Sequence, residues 1–187
     1  MAQVKGSAIT SRIRYVRDRY GEGALRQVRQ ALPEPMRVQL EGRVLPHAWV
    51  PYELFVALNV EIDRIFGVGD LTLCREMGRY SAEVNLPTLY RIFYKLRTPM
   101  FIFNKAARIW DVHYDSGRLV PLQEGNDKVR LQICEFEEPH RAHCLSVLGW
   151  AEQSIEISGA EVTEAREERC RTRGDASCEM ILRWKST

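Results

Sequence analysis

Trp110-Asp111-Val112-His113-Tyr114-Asp115-Ser116-Gly117-Arg118-Leu119 marks the point where the chain changes character. Before it, apolar residues recur at helical spacing; after it, they alternate as in strands. Asp115-Ser116-Gly117 is a turn signal, and Val112 to Leu122 reads as extended around it. Gly125-Asn126-Asp127 is a second turn signal. Beyond it Val129, Leu131 and Ile133 alternate with Arg130 and Gln132, the pattern of a half-buried strand. Pro139 stops that strand, and His140 to Ile157 reads as a helix with Cys144, Leu148, Ala151 and Ile155 on one face. Two more strands are expected, near Ala160 to Cys170 and Cys178 to Trp184, joined by a turn at Arg173-Gly174-Asp175. In the last of these Cys178, Met180, Leu182 and Trp184 share a face.

Upstream the periodicity is helical. Ile9, Ile13, Val16 and Tyr20 define one helix, with Ser7 or Thr10 as caps and Arg12, Arg14, Arg17 and Arg19 on its solvated positions. Gly21 and Gly23 break it. Leu25, Val28 and Leu32 mark a second helix that Pro33 ends, followed by a short segment from Met36 to Leu40 and a turn through Gly42 and Pro46. Pro51 opens a long helix through Leu54, Leu58, Ile62 and Ile65 to Gly67. Asp70 caps another, with Leu71, Cys74 and Met77 on one side. A further helix is expected from Pro87, and Met100 to Trp110 is helical again. The order predicts an α+β fold: N-terminal helices packed on a C-terminal antiparallel sheet with one inserted helix. It is read as a single domain over 1–187, mainly helical over 1–110 and sheet-containing over 111–187.

Composition narrows the class. A net charge of +2 over 187 residues gives no field that would draw nucleic acid, and the arginines between Arg12 and Arg29 are interspersed with Asp18 and Glu22. No stretch has the 18 or so apolar residues of a membrane span, and the N-terminus lacks the apolar core of a signal peptide. The chain reads as cytoplasmic, where thiols stay reduced.

The strongest chemical signal is Glu167-Glu168-Arg169-Cys170-Arg171-Thr172-Arg173-Gly174-Asp175-Ala176-Ser177-Cys178. In a hairpin centred on Gly174, Cys170 and Cys178 lie opposite each other. Cross-strand Cβ atoms are about 4.5–5.5 Å apart, and two thiolates at that separation can share a tetrahedral zinc. Cys144, on the preceding helix, is a third ligand candidate. Glu167 is the fourth, given a β-bulge or a Cys170 already in the turn; Glu168, His140 and His143 are alternatives. Packed free thiols or a Cys170–Cys178 disulfide account for the same spacing.

The pattern Cys144 … Glu167-x-x-Cys170-x-x-x-Gly174-Asp175-x-x-Cys178-x-x-x-x-x-Trp184 resembles the 4-vinyl-reductase domain, which shares a fold with subunits of the Golgi tethering (TRAPP) complex. Trp49-Val50-Pro51-Tyr52 and Trp110 to Arg118 resemble uncharacterised bacterial proteins of the same presumed fold. The resemblance implies a TRAPP-like ligand-binding fold, a structural Zn2+ on Cys144, Glu167, Cys170 and Cys178, and a homodimeric module that binds a hydrophobic small molecule or a protein partner. Tyr90, Phe93, Tyr94, Phe101, Phe103 and Trp110 form an apolar block suited to lining such a pocket. The alternatives are an accessory protein or enzyme of tetrapyrrole (4-vinyl) reduction, and a ligand-free scaffold. No nucleophile motif, phosphate loop or nicotinamide motif is visible, so the expectation is that the chain is not an enzyme.

Tyr114-x-Ser116-x-Arg118 also has the spacing of the haem-propionate motif of the haem nitric-oxide sensors. That fold needs a proximal histidine on an upstream helix, and residues 48–112 contain none. A plain turn is therefore the expectation here, without haem.

Overall fold

The computed structural model describes residues 1–85 and 98–186. A short strand, β1 (Gln3–Lys5), leads into α1 (Gly6–Ala31), which buries Ile9, Val16, Leu25 and Val28. The expected break is at Gly21, whose non-helical φ of 85° only glycine adopts without strain, so α1 is two helical stretches that meet at a kink. The segment around Met36 is a helix, α2 (Glu34–Glu41). β2 (Trp49–Pro51) then returns to pair antiparallel with β1, placing Val50 opposite the fully buried Val4. This small sheet has no counterpart in the sequence reading.

Pro51 precedes α3 (Tyr52–Phe66), whose Leu54, Phe55, Leu58 and Ile62 are buried at helical spacing. α4 (Leu73–Asn85) follows. Its first turn is held by a buried carboxylate: Asp63 accepts from the Leu71 and Leu73 amides at 2.9 and 3.0 Å, while the expected cap, Asp70, accepts from the Thr72 amide at 2.9 Å. α5 (Pro99–His113) is capped by Thr98, whose hydroxyl accepts from the Phe101 amide. It runs through Val112, so residues 111–113 are its last turn and not the start of the extended segment. Trp110 sets that end: its Nε1–H donates to the Ser116 carbonyl at 3.0 Å and ties the helix to the following turn.

β3 (Arg118–Gln123), β4 (Lys128–Cys134), β5 (Ala160–Arg169) and β6 (Cys178–Ser186) form an antiparallel sheet in the order β3-β4-β6-β5. Val129, Leu131 and Ile133 lie opposite Leu182, Met180 and Cys178, and all six are buried. α6 (Arg141–Ile157) crosses between β4 and β5 and packs on α4, α3 and the sheet. Helices and sheet thus share one core, as an α+β order of elements requires. No described helix is long and apolar enough to cross a membrane.

Candidate functional site

Tyr114 caps the C-terminal end of α5 and is fixed there by β1: it bridges to Val4, the Asp115 amide donates to the Gln3 carbonyl, and the Gln3 amide donates to Asp115 Oδ1. Its ring stacks on Trp110 with centroids 4.4 Å apart. Both rings face His143 of α6. Around this imidazole, which is 2% exposed, stand Tyr114 at 4.7 Å, Phe136 at 4.9 Å, Tyr52 at 5.4 Å, Trp110 at 5.8 Å and Phe55 at 6.0 Å, centroid to centroid. His143 Nε2 and the Tyr52 hydroxyl are buried without a hydrogen-bond partner among the described residues. Burial, with the charge of Arg12 adding to it, pushes the His143 imidazole down to about 3 and keeps it neutral. Burial likewise pushes the Tyr114 phenol up to about 12.

Arg12 is the second feature of this interior. The sequence pattern assigns it to a solvated helix face; the structure buries it to 2% exposure among four helices. Its Nε donates to Asn59 Oδ1 at 2.8 Å and its Nη atoms donate to Ser11, Ser81 and Ser146 hydroxyls and the Met77 carbonyl. The guanidinium lies 5.1 Å from the Phe55 ring centre. None of these hydrogen-bond partners is charged. Burial lowers the Arg12 pKa to about 10, which still leaves a cation at neutral pH.

The other members of the Tyr114-x-Ser116-x-Arg118 pattern point elsewhere. Ser116 Oγ accepts from the Glu137 amide at 3.0 Å, and Arg118 pairs with Glu135 at 3.0 Å on the exposed surface. Tyr114 turns inward and Arg118 outward.

The expected cysteine group does come together. Cys144, Cys170 and Cys178 are buried, with their sulfurs all within 4.8 Å of one another. Cys144 comes from α6; Cys170 and Cys178 flank the single-turn 3-10 segment Arg171–Arg173. Hydrogen-bonding interaction within this group holds the Cys144 thiol above the ordinary range and draws Cys170 and Cys178 below it, with burial opposing the latter. Cys170 Sγ also lies 3.0 Å from the Thr172 hydroxyl, and the Arg171 amide donates to Cys178 Sγ. Glu167 stands outside this group: its Oε2 pairs with Arg141 at 3.1 Å and Arg173 at 3.3 Å, despite the register shift between Glu167 and Arg169 that could have swung it inward. All five cysteines are free.

Of the apolar block, Phe103 and Trp110 are buried, Phe103 against Trp184 at 6.3 Å, and Phe101 is 39% exposed. Tyr90, Phe93 and Tyr94 lie outside the described residues. The sequence reading missed His143 as an interior group and Arg12 as a buried one. For Arg12 a signal existed, because positions 9, 12 and 16 share one helix face.

No protein-family model matches the chain, and no curated protein matches it. Solved structures do. An H-NOX protein from K. algicida in the Fe(II) unliganded state is 13% identical, with a TM-score of 0.74 over 98% of this chain and 97% of that one. An H-NOX protein from S. oneidensis in the Fe(II)NO ligation state is 9% identical, with a TM-score of 0.76 over 97% and 99%. An oxygen-binding H-NOX domain related to soluble guanylate cyclases is 15% identical, with a TM-score of 0.67 over 97% and 95%. These likenesses span nearly the whole chain, whereas the 4-vinyl-reductase and TRAPP-like resemblance rested on the pattern from Cys144 to Trp184 and two short stretches, Trp49 to Tyr52 and Trp110 to Arg118; they overturn it. With it fall the zinc-stabilised module, its structural Zn2+, and the tetrapyrrole-reduction and scaffold alternatives, since the matched proteins are named for Fe(II), NO and oxygen. The chain has the fold of the H-NOX proteins.

Proposed function

We propose that this chain is a sensory domain on the H-NOX fold that works without histidine-ligated haem. Its likeness to proteins named for Fe(II), NO and oxygen supports sensing over catalysis. Its own residues do not fit the haem. Residues 48–112 hold no histidine. His47 and His113 are exposed, and His140 spends its Nδ1 accepting the Ala142 amide as the cap of α6. The carrying observation is His143: its imidazole is 2% exposed and enclosed by five aromatic rings with centroids within 6.0 Å. Ser116 and Arg118 are engaged by Glu137 and Glu135, so the propionate-type pattern does not converge. A signal read by this domain reaches the protein's own side chains.

The test is reconstitution. Protein expressed with a haem precursor and then titrated with ferrous protoporphyrin is expected to retain no stoichiometric haem and to show no spectral change with NO or oxygen. One haem per chain with an imidazole-ligated ferrous spectrum, abolished by His143→Ala, overturns the proposal. The Tyr114-x-Ser116-x-Arg118 spacing favours a second reading, haem held through a residue other than histidine. Stoichiometric haem whose spectrum survives replacement of every histidine would establish it.

A further inference from the structure

The end of α1, the outward face of α3 and the loop before α6 bound an open groove of about 430 Å³. Leu32, Val56, Ala57, Val60 and Pro139 supply its apolar surface, and Glu53, Glu61 and Glu138 its charge; among the described residues no lysine or arginine lines it. Positions 52, 56 and 60, and 53, 57 and 61, recur four apart, so α3 presents one continuous stripe with apolar residues between two glutamates. Glu53 to Glu61 spans about 12 Å, two helical turns. Glu61 is paired with Arg64 at 2.8 Å, but Glu53 and Glu138 are exposed and form no ion pair among the described residues.

We propose that this groove docks a basic amphipathic helix of a partner protein. Two turns of such a helix would set apolar side chains on Val56, Ala57 and Val60 and its lysines or arginines beside Glu53 and Glu138. This is the helix-in-groove mode of recognition, with affinity from the apolar stripe and orientation from the charges. Charge selects the occupant. An anionic membrane or a nucleic acid meets carboxylates of its own sign, and a small apolar molecule leaves Glu53 and Glu138 without a counter-charge. Tyr52 links the groove to the interior, since it lines the groove while its ring meets His143 and Phe136.

The experiment uses the full chain and three labelled synthetic helices: leucine–lysine amphipathic, leucine–glutamate with the same pattern, and a scrambled leucine–lysine peptide. Anisotropy titration is expected to show binding of the first only. Glu53→Lys with Glu138→Lys should weaken it about tenfold, two attractions having become repulsions, and should let the glutamate helix bind. Val60→Asp should abolish binding while leaving the melting temperature close to that of the unaltered chain. Equal binding of the scrambled peptide, or indifference to both sets of substitutions, overturns the proposal. So does self-association, or binding to anionic vesicles, that Val60→Asp removes. Because both glutamates are exposed, the charge swap stays interpretable even where Val60→Asp fails to fold.

Discussion

A guanidinium with no carboxylate beside it is costly to bury, because neutral acceptors repay only part of its lost hydration. Arg12 is held nonetheless, by Asn59, three serine hydroxyls and the Met77 carbonyl from four helices. Arg12→Ala should destabilise the fold by about 3–5 kcal/mol, from the cavity and the hydroxyls left without a donor. Arg12→Met should cost less, since it fills the space and removes the buried charge; urea midpoints that rank the other way contradict this account. The periodicity carried this placement, because 9, 12 and 16 share a face, but the rule that arginine faces water outweighs one position in a stripe. His143 acts through protons. Its folded pKa, about 3, lies below the ordinary 6.5, so the unfolded chain takes up the proton first as pH falls. Its contribution to stability is complete above 6.5 and is lost below it, with a slope approaching about 1.4 kcal/mol per pH unit. His143→Phe keeps a ring in the cage and should flatten that slope between about pH 6.5 and pH 5; an unchanged slope assigns the acid sensitivity elsewhere.

At the scale of elements, α4 and α6 cross with their backbones in close approach. A Cβ on Gly78 would overlap the Ser146 carbonyl oxygen, and one on Gly149 would overlap the Arg75 carbonyl oxygen. Both obstacles are backbone, so relief requires the helices to separate. Gly78→Ala and Gly149→Ala should each cost more than about 3 kcal/mol, beyond the ordinary range for overpacking. Gly23→Ala is the control. Its Cβ would meet only the Arg26 side chain at 3.8 Å, and removing glycine from a helix should raise stability by about 0.5–1 kcal/mol. Chemical denaturation of the three variants checks the contrast, and a mild effect at Gly149 would refute the packing. Periodicity made α3 and β4 legible, since each spends one face on the core; α6 and β6 were legible as well, although both are buried on two sides. It could not show that two glycines mark a helix crossing, because glycine within a helix reads only as a cost. Nor could it show β1 and β2, three residues each and brought together from opposite sides of α1 and α2. The end of α5 was misread for a related reason: Val112 is an exposed β-branched residue, and what keeps it helical is the Trp110–Ser116 bond beyond it.

For the whole molecule, the change from helical to alternating periodicity at residues 110–119 was enough for the class, and a motif of three cysteines pointed to the wrong family within it. The three cysteines do meet; what their spacing lacked was the path of the other chain segments, which sequence at 9–15% identity to its structural neighbours does not expose. The candidate site divides in the same way. The Tyr114-x-Ser116-x-Arg118 spacing and the missing upstream histidine were legible, whereas the cage around His143 is assembled from α3, α5, α6 and the segment after β4 and exists only in three dimensions. α6 is the element common to these surfaces, because it packs on α4 and α3 on one side and on β5 and β6 on the other. If it couples the helical layer to the sheet, neither can unfold alone. Helix content by far-ultraviolet circular dichroism and the environment of Trp110 and Trp184 by fluorescence should then report one urea midpoint, and Gly149→Ala should lower both equally. Thiol labelling gives the independent check: Cys134, partly exposed, should react in the native protein, while buried Cys74, Cys144, Cys170 and Cys178 should react together at that same midpoint. A helical signal lost before the three sheet-side cysteines open would mean that α6 belongs to one layer only, and that the fold is two units in contact.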